Sequence, residues 1–196
     1  NIDESCLNDV DAVIHLAGAS ISKKWTASYK QEILESRVLS TNVLYALLKN
    51  NPNKVRHFIS ASAIGIYPDS LDKVYSEEEE DFDNSFFSHV VQQWEAAVDR
   101  IKQLDIRVSK IRTGLVLSGK GGALKEIAGP VRFGAGAAFG TGRQMQSWIH
   151  IYDLANIYLY ILRNQLEGVY NAVAPYPVTN YNLVKSIAKT VDKPFF

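Results

Sequence analysis

Three apolar blocks that each run into small or polar residues constrain this chain most. They are Asp11-Ala12-Val13-Ile14-His15-Leu16-Ala17-Gly18, Ser60-Ala61-Ser62-Ala63, and Ser147-Trp148-Ile149-His150-Ile151-Tyr152-Asp153-Leu154. Short apolar runs bounded by turn residues suit strands covered on both faces in a parallel sheet. Residues delivered at the carboxyl ends of such strands line the crevice where open α/β sheets bind ligands. A fold that holds a nucleotide cofactor is the expectation.

The rest of the chain supplies the partners such a sheet needs. Val10 to Leu16 reads as a strand, and Ile33, Leu34, Arg37, Val38, Thr41, Leu44, Leu47 and Leu48 recur at helical spacing until Asn50-Asn51-Pro52. Val55 to Ser60 is the next strand. Phe87, Val90, Val91, Trp94, Ala97, Val98 and Ile101 make a helix of Phe86 to Leu104, and Ile106 to Ile111 is a third strand. A glycine-rich stretch from Gly114 to Gly142 follows, then an extended segment to Ile151 and a helix from Asp153 to Asn164. Val169 to Val173 and a helix from Asn180 to Val191 complete the pattern. Strands separated by helical stretches imply right-handed crossovers and a parallel sheet. The acidic run Glu77-Glu78-Glu79-Glu80-Asp81 reads as a solvated loop.

Composition narrows the function. In 196 residues, 21 basic and 21 acidic side chains balance, so nothing draws the chain toward polyanions, and nucleic acid is not an expected partner. A single cysteine, Cys6, excludes an internal disulfide framework and fits a reducing compartment. The histidines are scattered without carboxylates or cysteines at ligand spacing, so no metal site is expected. No apolar run is long enough to span a membrane, and Asn1-Ile2-Asp3-Glu4-Ser5 lacks the layout of a signal peptide. A cytoplasmic location is the expectation. The chain opens without methionine and stops at Asp192-Lys193-Pro194-Phe195-Phe196, two aromatic residues past an apparent helix, and so reads as a piece of something longer.

Several spaced motifs carry a resemblance: Leu16-Ala17-Gly18-Ala19, Ser36-Arg37-Val38, Ser60-Ala61-Ser62-Ala63-Ile64-Gly65, Trp94-Glu95, Arg112-Thr113-Gly114, Gly121-Gly122-Ala123-Leu124 and Ser147-Trp148-Ile149-His150-Ile151. In this order they resemble an atypical branch of the extended short-chain dehydrogenase/reductase superfamily, within its NAD-dependent epimerase/dehydratase group. The resemblance implies a Rossmann-like α/β fold, a parallel sheet with helices on both faces, here lacking its first strands. It further implies that residues 1–196 are a partial NAD(P)-binding domain, with substrate-side elements at approximately 114–150 and 170–196. The phosphate-gripping glycine turn and the ribose selector of that fold are expected before residue 1. Gly134, Gly136 and Gly140 are not that turn, since the turn requires strand, turn and helix in order; they read as a mobile loop on the substrate side.

The superfamily's chemistry uses a tyrosine and a lysine four residues apart plus a serine. An ordinary phenol, with a pKa of about 10, needs a nearby cation to work as a base. Ser62 matches the serine. Aligning Trp94-Glu95 with the lysine end places Val90 and Trp94 at the tyrosine and lysine positions, and neither side chain transfers a proton. Where the superfamily has asparagine, Arg37 stands, read either as a surface ion-pair residue or as a clamp for phosphate or carboxylate. Tyr67, His89, Glu95 and His150 are other proton-transfer candidates. Tyr67 is read as facing the crevice or packing, and His150 as structural, with Asp153 placed to cap the following helix.

The resemblance assigns cofactor contacts to Leu16, Ala17, Gly18, Arg37, Ser62, Ala63, Arg112, Thr113 and Gly114, and substrate contacts to Gly121, Gly122, Gln144 and Trp148. NAD or NADP is the implied cofactor and a sugar-like small molecule the implied substrate. One reading is an NAD(P)-dependent sugar-nucleotide epimerase or dehydratase with a degenerate Ser-Tyr-Lys site. Another is a non-catalytic NAD(P)-binding sensor or regulator. With no first strand beside it, the Val10–Leu16 strand becomes an exposed edge that invites pairing, so the expectation is either self-association into a homo-oligomer or an N-terminal segment that exists in the molecule outside these 196 residues.

Overall fold

A computed structural model describes residues 4–196. In chain order the elements are β1 (Ala12–His15), α1 (Ala27–Asn50), β2 (His57–Ala63), α2 (Phe86–Asp99), β3 (Arg107–Thr113), β4 (Leu115–Leu117), α3 (Ala123–Arg132), β5 (Met145–Gln146), β6 (Trp148–His150), α4 (Ile151–Arg163), β7 (Gly168–Ala172), β8 (Val178–Thr179) and α5 (Asn180–Thr190), with short 3-10 turns at Glu4–Leu7, Ile64–Ile66 and Arg100–Leu104. The main sheet has the order β1-β2-β3-β7. β1 and β2 run parallel, with Ala12 opposite His57 and His15 opposite Ser60. The fold is α/β and Rossmann-like. Among the described residues β1 is an edge strand, and Ile14 and Leu16 are 43% and 64% exposed.

The chain forms two compact units. The first comprises the chain up to Pro68, Glu77–Arg112 and Tyr158–Tyr170; the second comprises Asp69–Ser76, Thr113–Ile157 and Asn171–Phe196.

In the first unit the long helices start where hydroxyl side chains take up otherwise unpaired amides. Thr26 accepts from the Tyr29 amide to open α1, and Ser85 from the Ser88 amide to open α2. Leu47 and Leu48 of α1, Trp94 and Val98 of α2, Phe58 of β2 and Val108 of β3 pack into one buried cluster. Burying such side chains contributes about 1.5–3 kcal/mol each. Helical periodicity located both helices, but α2 tightens into the 3-10 turn Arg100–Leu104 before β3, and Asp105 turns the chain with φ 57°.

The second unit departs from the sequence reading at the glycine-rich stretch, which contains a helix. Ala128 and Val131 of α3 pack against Leu183, Val184, Ile187 and Ala188 of α5. Pro130 lies inside α3 only two residues from its end; it cannot donate to the carbonyl four residues back, and the helix stops within a turn of it. Nor are the last aromatic residues left hanging. Gly136 bridges to Phe195, the Phe196 amide donates to the Gly136 carbonyl at 2.8 Å, and the Phe195 ring stands edge-on to Tyr181 at 4.8 Å.

Candidate functional site

In the first unit the turn leaving β1 is exposed at Leu16, Ala17 and Gly18 and is fastened to α1 just beyond them. The Ala19 amide donates to Ser36 Oγ at 2.8 Å, and the Arg37 guanidinium donates to the Ala19 carbonyl at 3.2 Å. Arg37 is buried, not a surface ion-pair residue. It also donates to the Ile33 carbonyl at 2.9 Å and lies 5.3 Å from the centre of the Trp94 ring. Its Nε has no hydrogen-bond partner, and among the described residues no carboxylate pairs with it. Burial pushes its pKa down. A Cβ on Gly18 would stand 3.0 Å from the Arg37 Cζ, so glycine lets the guanidinium lie against the turn.

The end of β2 delivers Ser62 into a buried polar chain. Ser62 Oγ donates to Glu95 Oε1 at 2.6 Å, while Arg112 holds both Glu95 oxygens, Nε on Oε1 at 2.9 Å and the second terminal nitrogen on Oε2 at 3.0 Å. The other guanidinium nitrogen donates to the Tyr67 hydroxyl at 2.7 Å. Lys110 lies 3.3 Å from Glu95 and 2.9 Å from Asp99, which Lys102 also meets at 2.8 Å.

Burial alone would raise the Glu95 carboxyl. The hydrogen bonds from Arg112 and Ser62 and the charge of Lys110 outweigh it and hold Glu95 below the usual carboxylate range. Burial likewise opposes the charge on Arg112, but the bonds and charge of Glu95, aided by Tyr67, raise it above its ordinary value. Glu95 is therefore a fixed anion and a weak base. Ser62 spends its proton on that anion, so its oxygen meets any further partner as an acceptor.

The remaining candidates fall outside this chain of bonds. Val90 and Trp94 are buried in α2, and His89 is exposed. Ala63 closes β2 and is half-buried. In the second unit the Gly114 amide donates to the Ala172 carbonyl at 3.2 Å, and a Cβ there would meet the Ser147 carbonyl oxygen at 2.5 Å. Glycine is needed for that close backbone approach, whatever else Thr113 and Gly114 touch. Gly121 and Gly122 have φ 153° and 70° and open α3. Trp148 is half-buried and donates to the Tyr176 carbonyl at 3.1 Å. Gln144 donates to the Phe139 carbonyl at 3.2 Å. His150 Nδ1 accepts from the Tyr152 amide at 3.4 Å, so the group beside the start of α4 is His150, and Asp153 lies within the first turn. Sequence reasoning passed over Lys110 and Asp99. Their signal was a pair of cations two apart on β3 facing acids four apart on α2.

Among the described residues no helix is long and apolar enough to cross a membrane, and no group of three or more His, Cys, Asp or Glu is placed to hold a metal ion.

Known proteins resemble this chain in sequence and in fold. An epimerase family protein of Staphylococcus epidermidis is 39% identical over 187 residues, which is 95% of this chain and 62% of that protein. The chain thus spans about three fifths of the curated relatives it matches. A crystal structure of a human epimerase family protein with NADPH superposes with a TM-score of 0.86 at 33% identity, covering 97% of this chain and 65% of that one. A nucleoside-diphosphate sugar epimerase of Corynebacterium glutamicum gives a TM-score of 0.81 at 37% identity, over 97% of this chain and 41% of that one. The family model that describes NAD-dependent epimerases and dehydratases matches residues 1–173. By sequence and fold together, the chain belongs to the NAD-dependent epimerase/dehydratase family.

Proposed function

We propose that this chain is the cofactor-side part of an NAD(P)-dependent oxidoreductase of the epimerase/dehydratase type, acting on a nucleoside-diphosphate sugar. The observation that carries the reading is Arg37, a buried cation without a carboxylate partner, held against the exposed turn at the carboxyl end of β1. An unpaired buried charge is costly, and an anionic group bound beside Leu16, Ala17 and Gly18 offsets that cost. The phosphates of a dinucleotide fit this requirement. The related human protein with NADPH and the sugar-nucleotide epimerase of Corynebacterium glutamicum support the same reading.

NAD(P), when bound, supplies the hydride transfer. Around it, Leu16, Ala17 and Gly18 present backbone, Ser62 presents an acceptor oxygen beside Ala63, and Tyr67 is the candidate to move a proton. Arg112 serves by fixing the Tyr67 oxygen and Glu95 at once. In the second unit, Thr113 and Gly114 are the candidates for cofactor contact, and Gly121, Gly122, Gln144 and Trp148 those for substrate. NADPH titration followed by nicotinamide fluorescence tests the reading. Saturable binding is expected, weakened about tenfold or more in Arg37→Ala, the usual loss with a charge-assisted hydrogen bond. Unchanged affinity in that variant removes Arg37 from the site, and no binding by the native protein overturns the proposal.

A second reading, a cofactor-binding protein without turnover, is favoured by the apolar Val90 and Trp94 and by the commitment of the Ser62 proton to Glu95. Transfer of deuterium from 4-deuterated NADPH to the carbonyl carbon of a UDP-4-keto-sugar, which is reduced to the carbinol as NADPH is oxidised, separates the two. Any enzyme-dependent transfer excludes the non-catalytic reading.

A further inference from the structure

We infer that the second unit carries a subsite for the anionic portion of a sugar substrate, in the cavity between Asp69–Leu71 and the loop Thr141–Met145. The inference rests on the proposed action on sugar nucleotides and names what that substrate must carry. The cavity has a volume of about 320 Å³, at the low end of ligand sites at roughly 300–1,000 Å³. That is room for a monosaccharide with its charged substituent.

The walls are built before any ligand arrives. Backbone bonds fasten the loop to the start of α5: the Asn180 amide donates to the Gln144 carbonyl at 2.8 Å and the Tyr181 amide to the Gly142 carbonyl at 2.9 Å. Asn180 Oδ1 accepts from the Phe139 amide at 2.8 Å. Gly142, with φ 69°, packs beneath Tyr181, where a Cβ would stand 3.1 Å from the Tyr181 Cβ. The facing segment is held by Ser70, whose Oγ accepts from the amides of Asp72 at 3.2 Å and Lys73 at 2.8 Å. A loop pinned in this way places its side chains at little entropic cost on binding.

The lining chemistry selects the ligand. Arg143 and Asp69 form no ion pair among the described residues, although both line the same cavity. A guanidinium fork matches a carboxylate or phosphate. Asp69 accepts from sugar hydroxyls. Thr141 Oγ1 already accepts from the Arg143 amide at 3.3 Å, and Ser70 accepts from two amides, so both hydroxyl protons are left to donate to ligand oxygens. Leu71 and Met145 give the apolar contact that the C–H face of a pyranose needs. Hydroxyls together with one negative group describe a sugar carrying either a carboxylate or a phosphate.

The test uses the protein titrated calorimetrically with UDP-glucuronic acid and with UDP-glucose, each with and without NADPH, in native, Arg143→Ala, Arg143→Lys and Asp69→Asn forms. The native protein is expected to bind at least one probe. Arg143→Ala should weaken that binding about tenfold or more, Arg143→Lys should restore part of it, and Asp69→Asn should weaken it less. All variants should keep the native Tm and bind NADPH within about twofold of native. If only UDP-glucuronic acid weakens, Arg143 holds the sugar carboxylate; if both weaken, it holds the phosphate. Binding of neither probe by the native protein, or binding that Arg143→Ala leaves intact, overturns the inference. Arg143-dependent sugar binding in a protein that fails to bind NADPH would overturn the cofactor reading and leave this subsite standing.

Discussion

Two clusters of polar side chains, one in each unit, are arranged in opposite ways. In the first, Ser62, Glu95, Arg112, Lys110 and Asp99 are spent on one another in the interior. In the second, Arg143 and Asp69 line an open cavity without pairing. Charges that satisfy each other fix geometry, because removing one strands the rest. Charges left open in a pinned loop are available to a ligand. The contrast sets a self-paired network in the first unit against unpaired charges in the second, and each prediction below breaks or sharpens it.

The largest effect is expected from Glu95→Gln. Neutralising this carboxylate leaves Arg112 buried without its charged partner, while Lys110 keeps Asp99 at 2.9 Å; breaking a buried pair in this way costs about 3–5 kcal/mol. Denaturant unfolding monitored by tryptophan fluorescence reads this directly. A loss below about 1 kcal/mol would mean the network is loosely held, and the contrast would be lost. Next is Gly114→Ala in the second unit. Its Cβ would sit 2.5 Å from a backbone oxygen and 2.9 Å from Val173 Cγ1, so backbone must shift, at about 1–3 kcal/mol. Gly119→Ala, with no left-handed φ and nothing within 4 Å of its Cβ, supplies the control without crowding.

A smaller, pH-dependent effect belongs to the first unit. Ser109 Oγ donates to the Leu166 carbonyl at 2.6 Å and so accepts from His57 Nε2 at 2.7 Å. Ser40 Oγ donates to the Ser36 carbonyl at 2.6 Å and accepts from His15 Nε2 at 3.0 Å. Each ring therefore carries a proton on Nε2, and the buried Nδ1 of each has no partner. Protonation would bury an unpaired N–H and a charge. Burial lowers both pKa values below 6.5, and nearby Arg107 lowers His57 further. The folded state then binds fewer protons than the unfolded chain, so this stability is complete above about pH 6.5 and is lost as pH falls below it. Calorimetric Tm should drop between pH 7 and pH 5.5, and less steeply in His57→Gln. A flat Tm over that range would show that the interior admits water or an acceptor at both rings.

The fold was largely legible because its main elements are long and strongly periodic. β1, α1, β2, α2, β3, α4, β7 and α5 all lie where apolar spacing put them. The missed helix, α3, carried its signal in Leu124, Ile127, Ala128 and Val131 at helical spacing. Surrounding glycines and Pro130 masked it, and packing on α5 overrode their propensity. Strands of two or three residues, such as β5 and β8, are too short for periodicity to show. At the candidate site, Ser62 could be singled out from its place at a strand end, and Glu95 and Arg112 from motifs. That these last two bind each other could not, because pairing between a helix and a strand is a property of tertiary packing. The same limit applies to Arg37, whose burial depends on Trp94 arriving from another helix.

The smallest expected effect is the sharpest test of the contrast. Arg143→Ala and Asp69→Asn should each change unfolding free energy by no more than about 0.5 kcal/mol, the ordinary range for exposed substitutions away from structural features. Both side chains are exposed and neither holds a partner in the second unit, so nothing is stranded when one is removed. The prediction is asymmetric with Glu95→Gln by design: the same loss of one charge should differ about sixfold or more in cost, from the ratio of the two ranges. If Arg143→Ala proved as costly as Glu95→Gln, Arg143 would be serving the second unit's own packing and would have no charge to offer a sugar. If both variants are neutral, the loop keeps its shape from the bonds to α5, and its open charges are there to meet a ligand.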